Sequence, residues 1–194
     1  MPTRVVIAED EAIIRLDLKE TLEEEGYEVV GETGRGDEAV DLVKEHEPDV
    51  AILDIKMPGL DGLSAAREIA GERRAAVLIL TAFSQRDLIE QARDAGALAY
   101  LVKPFQRGEL IPAIEVAIGR FQEMKVLYEQ TQNLEDQLET RKVVDRGKGL
   151  LMDKHGLSEN DAFSFIQKKA MAERMTMKAI SELIIAGELE PPSP

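Results

Sequence analysis

The strongest constraint on this chain is the regular alternation of patterns in its first 120 residues. Short β-rich apolar runs occur at Val5–Ala8, Val29–Val30, Val50–Leu53, Val77–Leu80 and Leu98–Val102. Helical patterns separate them. Ile13, Leu16, Leu18 and Leu22 mark a helix that ends at Gly26, and Ala39, Val40 and Val43 a second that ends near Pro48. Leu63, Ala66, Ile69 and Ala70 mark a third; Leu88, Ala92 and Ala95 a fourth, ended by Gly96; Leu110, Ile114, Ala117 and Phe121 a fifth. Five βα units in this length predict an α/β domain over 1–120, an open, doubly wound, five-stranded parallel sheet with helices on both faces.

After Arg120 the strand signals stop. Met124, Leu127, Thr131, Leu134 and Leu138 recur at alternating spacings of three and four, and no Gly or Pro interrupts the chain between Arg120 and Asp145. This predicts a long connecting helix over 121–138, continuous with the fifth helix. Its stripe is either a short coiled-coil seam or a face packed within one chain. A small all-α output domain of three helices is expected over 139–187. The first helix passes through Val144, Leu150 and Leu151 to His155-Gly156. The second starts at Ser158, an N-cap, and carries Ala162, Phe165, Ile166 and Ala170. The third runs from Thr176 through Ile180 and Ile184 to Gly187. Phe163 and Phe165 are read as core residues. The Pro-rich tail, 188–194, is expected to be disordered.

Charge divides the chain in the same way. Residues 1–120 hold 14 Lys and Arg against 25 Asp and Glu, whereas 141–178 hold 9 against 5. A basic piece follows an acidic body. The chain has no cysteine, which excludes disulfides, thiolate nucleophiles and cysteine-bound metals. The apolar run after the first four residues is too short for a signal peptide, and no apolar stretch could span a membrane, so a cytoplasmic location is expected.

The chemistry collects where strands give way to loops. The first strand ends in Glu9-Asp10-Glu11, the third in Asp54, the fourth in Thr81-Ala82 and the fifth in Lys103-Pro104. In a doubly wound sheet these ends converge on the crevice where ligands bind. Taken singly, an acid at a strand end is commonly a cap, and a lone Thr or Lys there is commonly structural. Together they place three carboxylates, a hydroxyl and an ammonium around one crevice. Clustered carboxylates repel unless a cation shares the site, and Mg²⁺ favours such oxygen ligands together with phosphate. A carboxylate can attack phosphorus to give an acyl phosphate, while Mg²⁺ and a lysine stabilise the charge on the transferring group. The Thr81 hydroxyl could then hydrogen-bond the new phosphoryl group.

These residues, with Met57-Pro58-Gly59, Asp61-Gly62 and Phe105, resemble the signature of bacterial receiver domains over residues 4–120. The resemblance implies a flavodoxin-like fold, Asp54 as the phosphoacceptor, and Mg²⁺ held by Glu9, Asp10, Asp54 and the backbone carbonyl of Lys56. It further implies Lys103 as the phosphate partner, Thr81 and Tyr100 as a switch pair, a cis Lys103–Pro104 bond, and a sensor histidine kinase as phosphodonor. Glu139-Thr140-Arg141, Val144 to Met152, Gly156 to Glu159, Asp161-Ala162-Phe163 and Ala170-Met171 resemble the ANTAR domain of transcription antiterminators, an RNA-binding module. Gly147 departs from that pattern, which more often has Ala. The whole arrangement resembles a group of actinobacterial regulators.

The resulting expectation is a response regulator that binds structured RNA, such as hairpin leader transcripts, as an antiterminator. It would be no enzyme beyond slow loss of its own phosphate. Arg141, Arg146, Lys148, Lys168 and Lys169 are the expected RNA contacts, and a homodimer on phosphorylation is the expected assembly. Alternative readings are an output module that binds DNA or a protein, and a small phosphatase using Asp54 as nucleophile. The lack of a helix-turn-helix pattern and of a substrate cap weighs against the DNA-binding and phosphatase readings.

Overall fold

The computed structural model describes residues 2–82 and 86–191, with the backbone alone at Arg86. It divides into two compact units, 1–126 and 127–194.

In the first unit, strands and helices alternate: β1 (Arg4–Ala8), α1 (Ala12–Glu24), β2 (Glu28–Thr33), α2 (Gly36–His46), β3 (Val50–Asp54), α3 (Gly62–Gly71), β4 (Ala76–Thr81), α4 (Arg86–Asp94), β5 (Ala99–Val102) and α5 (Arg107–His155). The five strands form one parallel sheet in the order β2-β1-β3-β4-β5. Successive side chains of a strand point to opposite faces, so each apolar run feeds two cores at once. Val6, Ala8, Ala51, Leu53, Val77 and Ile79 pack with Ala39, Val43, Ala66, Ile69 and Ala92, the inner faces of α2, α3 and α4. Val5, Ile7, Val50, Ile52, Leu78 and Leu80 pack on the other side with Leu18, Leu22, Leu110 and Ile114 of α1 and α5.

One apolar pattern is only half buried. In α1, Leu18 and Leu22 lie one turn apart and are buried, while Ile13 and Leu16 are exposed.

The second unit contains the C-terminal part of α5, α6 (Glu159–Glu173) and α7 (Met177–Ala186). The helix expected around Val144 to Leu151 is therefore the end of α5. Val144, Leu151, Ala162, Ile166, Ala170, Ile180 and Ile184 form its core. Ser158 caps α6 by accepting from the Asp161 backbone N–H at 3.2 Å, and Thr176 caps α7 by accepting from Ala179 at the same distance. Gly187 ends α7 in the left-handed region. Leu189 packs against this core; residues 192–194 of the expected disordered tail lie outside the described residues.

Gly147 has a packing reason for lacking a side chain. A Cβ there would lie 3.0 Å from Cβ of Ser181, itself fully buried on α7. Helix α7 thus approaches α5 closely at this point. The apolar stripe on α5 is uncovered: Met124, Leu127, Leu134 and Leu138 are all more than half exposed. Among the described residues no helix is long and apolar enough to cross a membrane.

Candidate functional site

The strand order changes direction between β1 and β3, and the C-terminal ends of these strands flank the acidic crevice. Glu9 follows β1 and is fully buried. Every polar part of it is engaged. Its backbone N–H donates to the Thr33 carbonyl at 3.0 Å, and its own carbonyl accepts from the Arg15 guanidinium at 2.5 Å. Oε1 accepts from the Glu11 backbone N–H at 3.3 Å, and Oε2 lies 2.5 Å from Nζ of Lys103. Lys103, delivered by the turn after β5 with its cis bond to Pro104, also lies 3.0 Å from Oδ1 of Asp54. The other oxygen of Asp54 accepts from the Lys56 backbone N–H at 3.2 Å. Lys103 therefore bridges Glu9 and Asp54.

The loop after β3 is held close to this group. Asp61 caps α3, its Oδ1 accepting from the backbone N–H groups of Leu63 and Ser64 at 3.1 and 3.0 Å. A Cβ at Gly62 would lie 1.9 Å from the Asp54 carbonyl oxygen. Only glycine lets the start of α3 approach the strand end so closely.

Burial pushes the Glu9 carboxyl above the usual glutamate range, against the lowering pull of Lys103. Burial also opposes the charge on Lys103, but its hydrogen bonds to Glu9 and Asp54 outweigh that and hold the ammonium above its ordinary value. Facing two carboxylates, Lys103 keeps its charge.

The cleft above these groups has a volume of about 510 Å³ and is lined by Asp10, Glu11, Asp54, Lys56, Thr81 and Lys103, together with Asp87, Leu88 and Gln91 of α4. The structure thus brings together all the strand-end residues picked out in the sequence. Thr81 is buried at the cleft wall, whereas Tyr100 is 44% exposed on β5 and is not part of the lining. Arg15 and the α4 residues were not legible beforehand. Arg15 looks like any helical surface cation, and Asp87 and Gln91 stand out only once the four-residue spacing on α4 is known to face the cleft.

Carboxylate oxygens of Glu9, Asp10 and Asp54 lie within 4.8 Å of one another. An all-oxygen set of this kind fits a hard divalent cation such as Mg²⁺. Asp10 is exposed at the rim, so the set opens onto the cleft.

The basic residues named in the second unit do not form one free set. Arg141, Arg146 and Lys168 are exposed, and Arg141 lies 3.9 Å from Asp145. Lys169 lies 3.6 Å from Glu173. Lys148 is mostly buried, with its Nζ 2.9 Å from both Asp145 and Glu159. It clasps α5 to α6 and presents little charge to solvent. The reading of both phenylalanines as core residues fails for Phe163. Phe165 packs against the helical core, but Phe163 is 43% exposed. Ala162, Ile166 and Ala170 define the buried face of α6, and the residue after Ala162 is turned about 100° away from it.

Comparison with known proteins agrees with this geometry. The response regulator receiver domain family matches residues 5–115, and the ANTAR domain family matches residues 132–185. The chain is 58% identical to the transcriptional regulatory protein PdtaR of Mycobacterium tuberculosis, over 95% of this chain and 90% of that protein. It is 38% identical to the chemotaxis protein CheY of Bacillus subtilis, over 61% of this chain and all of CheY. Among solved structures, the signal receiver domain of the response regulator NarL from Mycobacterium tuberculosis superposes with a TM-score of 0.59 at 32% identity, covering 61% of this chain and 97% of that one. The receiver domain of a sensor histidine kinase from Pseudomonas aeruginosa, with a magnesium ion coordinated in its active-site cleft, gives 0.56 at 31% identity, covering 61% and 99%.

Proposed function

This chain belongs to the response regulators, with a receiver domain followed by an ANTAR domain, and from that premise we propose that phosphorylation of Asp54 controls binding of structured RNA in transcription antitermination. The observation that carries the reading is Asp54 itself, held at the end of β3 between the Lys56 N–H and Lys103 in an open acidic cleft.

In this reading an Asp54 carboxylate oxygen attacks the phosphorus of a phosphohistidine on a sensor kinase. A P–O bond forms, the P–N bond breaks, and the histidine nitrogen leaves with the electron pair. Glu9, Asp10, Asp54 and the Lys56 carbonyl would hold Mg²⁺, which would supply positive charge against the phosphoryl oxygens. Lys103 moves its ammonium from the Glu9–Asp54 bridge toward the phosphoryl group. Thr81, already at the cleft wall, donates its hydroxyl to a phosphoryl oxygen, and Tyr100 turns inward into the space released. Arg146 and Lys168 contact RNA phosphates, Arg141 faces the RNA from the cleft beside Asp145, Lys169 contributes from the same helix as Lys168, and Lys148 acts through the fold. Two copies joined along the exposed α5 stripe raise RNA affinity through effective concentration, without any new contact.

The test is Mg²⁺-dependent labelling with acetyl phosphate or a cognate kinase, followed by RNA binding. Asp54→Asn is expected to lose the label and the phosphorylation-dependent rise in RNA affinity. Undiminished labelling of that variant would remove Asp54 from its role.

A further inference from the structure

We propose that the cleft between α5 and Phe163 of α6 is a pocket for one unpaired base of an RNA loop, with the Phe163 ring as its stacking platform. This rests on the RNA-binding reading above and names the part of the ligand that the unit grips.

The cleft, about 570 Å³ in volume, is lined by Asn133, Asp136, Gln137, Thr140, Arg141, Val144, Asp145, Lys148 and Phe163. Three features distinguish it from a solvated helix face. An aromatic ring is left 43% exposed beside it, although the core of the unit closes without that ring. Along one face of α5, at helical spacing, run two amides, a hydroxyl and a carboxylate: Asn133, Gln137, Thr140 and Asp136. Their side chains have no hydrogen-bond partner among the described residues, so donors and acceptors are available to a ligand edge. The wall is also fixed. Val144 is buried beneath it, and Lys148 ties Asp145 of α5 to Glu159 of α6.

Charge selects the occupant. Asp136 and Asp145 balance Arg141 and Lys148 within the cleft, so it suits neither a phosphate nor an acidic peptide side chain. Free cations lie elsewhere on the unit: Lys142 and Arg146, which line a separate groove against α7, and Lys168 on α6 are exposed and make no ion pair among the described residues. A neutral, flat, hydrogen-bonding group matches the balanced charge of the cleft, and the splayed base of a single-stranded RNA nucleotide is such a group. Stacking on the ring and edge contacts to the α5 amides hold the base, while the cations outside the cleft meet phosphates farther along the RNA. Lys148 is then a positioning residue that keeps the two walls at a fixed separation.

The experiment uses the full-length phosphorylated protein and RNA hairpins with a randomised loop, from which the tightest-bound hairpin is recovered and used as a fluorescent probe. Phe163→Leu keeps an exposed apolar side chain but removes the flat ring. It is expected to weaken binding about tenfold or more while leaving the slope of log affinity against log salt unchanged. Phe163→Trp is expected to retain the affinity. Replacing the gripped base by an abasic site should weaken the wild type and erase its advantage over Phe163→Leu. The Arg146→Ala/Lys168→Ala double variant should instead flatten the salt slope, by about 0.7–0.9 per lost contact. Wild-type affinity in Phe163→Leu would overturn the base pocket while leaving RNA binding intact. A wild-type protein that prefers no hairpin over polyglutamate would defeat both readings and favour an acidic protein partner.

Discussion

Asp61 links the loop after Asp54 to α3. Its carboxylate accepts from two backbone N–H groups and from the Ser64 hydroxyl at 2.7 Å, and that hydroxyl, ahead of the backbone donors, holds its pKa below the ordinary aspartate range. A lowered folded value means that the charged cap stabilises the fold above the unfolded value of about 3.9. That contribution is lost as pH falls through the lower folded value. Asp61→Ala is expected to cost about 1 kcal/mol near neutral pH, as N-cap losses do. Urea unfolding should show the gap between variant and wild type closing only at strongly acidic pH. Thr81 gives a second residue-level prediction. It lines the cleft together with Asp54 and Lys103, which meet each other directly at 3.0 Å. Thr81→Ala should take up label from acetyl phosphate yet fail to raise RNA affinity when labelled. A normal rise would take Thr81 out of the switch.

At the scale of elements, the two glycines near the end of α5 should behave oppositely. A Cβ at Gly149 meets nothing within 4 Å, so Gly149→Ala should gain about 0.5–1 kcal/mol from helix propensity alone. A side chain at Gly147 meets Ser181 on α7, and Gly147→Val should cost about 1–3 kcal/mol through overpacking. Thermal unfolding of the two single variants separates these effects; equal shifts would mean that the α5–α7 approach is looser than described. The same approach explains how glycine stands where ANTAR sequences favour alanine, with the lost propensity offset by close packing.

For the whole molecule, the proposal to test is assembly through the exposed stripe of α5. Leu134 is 63% exposed and contributes to none of the three cores. Leu134→Lys should therefore leave the fold and Asp54 labelling intact. Sedimentation is expected to show phosphorylated wild type as a dimer and the phosphorylated variant as a monomer with weaker RNA binding. A wild type that remains monomeric in both states, at concentrations where RNA is tightly bound, would rule out the seam. Coupling of the acidic cleft to RNA would then have to act within one chain.

The sequence by itself determined the sheet, because each strand is an apolar run feeding two faces and each helix a periodic pattern stopped by Gly or Pro. It also determined the acidic constellation of the cleft, since a parallel sheet brings strand ends together whatever the loops do. Glu9, Asp54, Thr81 and Lys103 could be placed from strand boundaries alone. Only the tertiary structure decided the rest. Periodicity marks an apolar face but not what covers it, so Ile13, Leu16 and the α5 stripe proved exposed where Leu18 and Leu22 were buried. Composition counts cations but not their partners, so Lys148 became a clasp between Asp145 and Glu159 while Arg146 makes no ion pair among the described residues. Phe163 was left at the surface for a related reason. Burial on α6 follows a narrow stripe of Ala162, Ile166 and Ala170, and a ring one residue away turns out of the core however apolar it is.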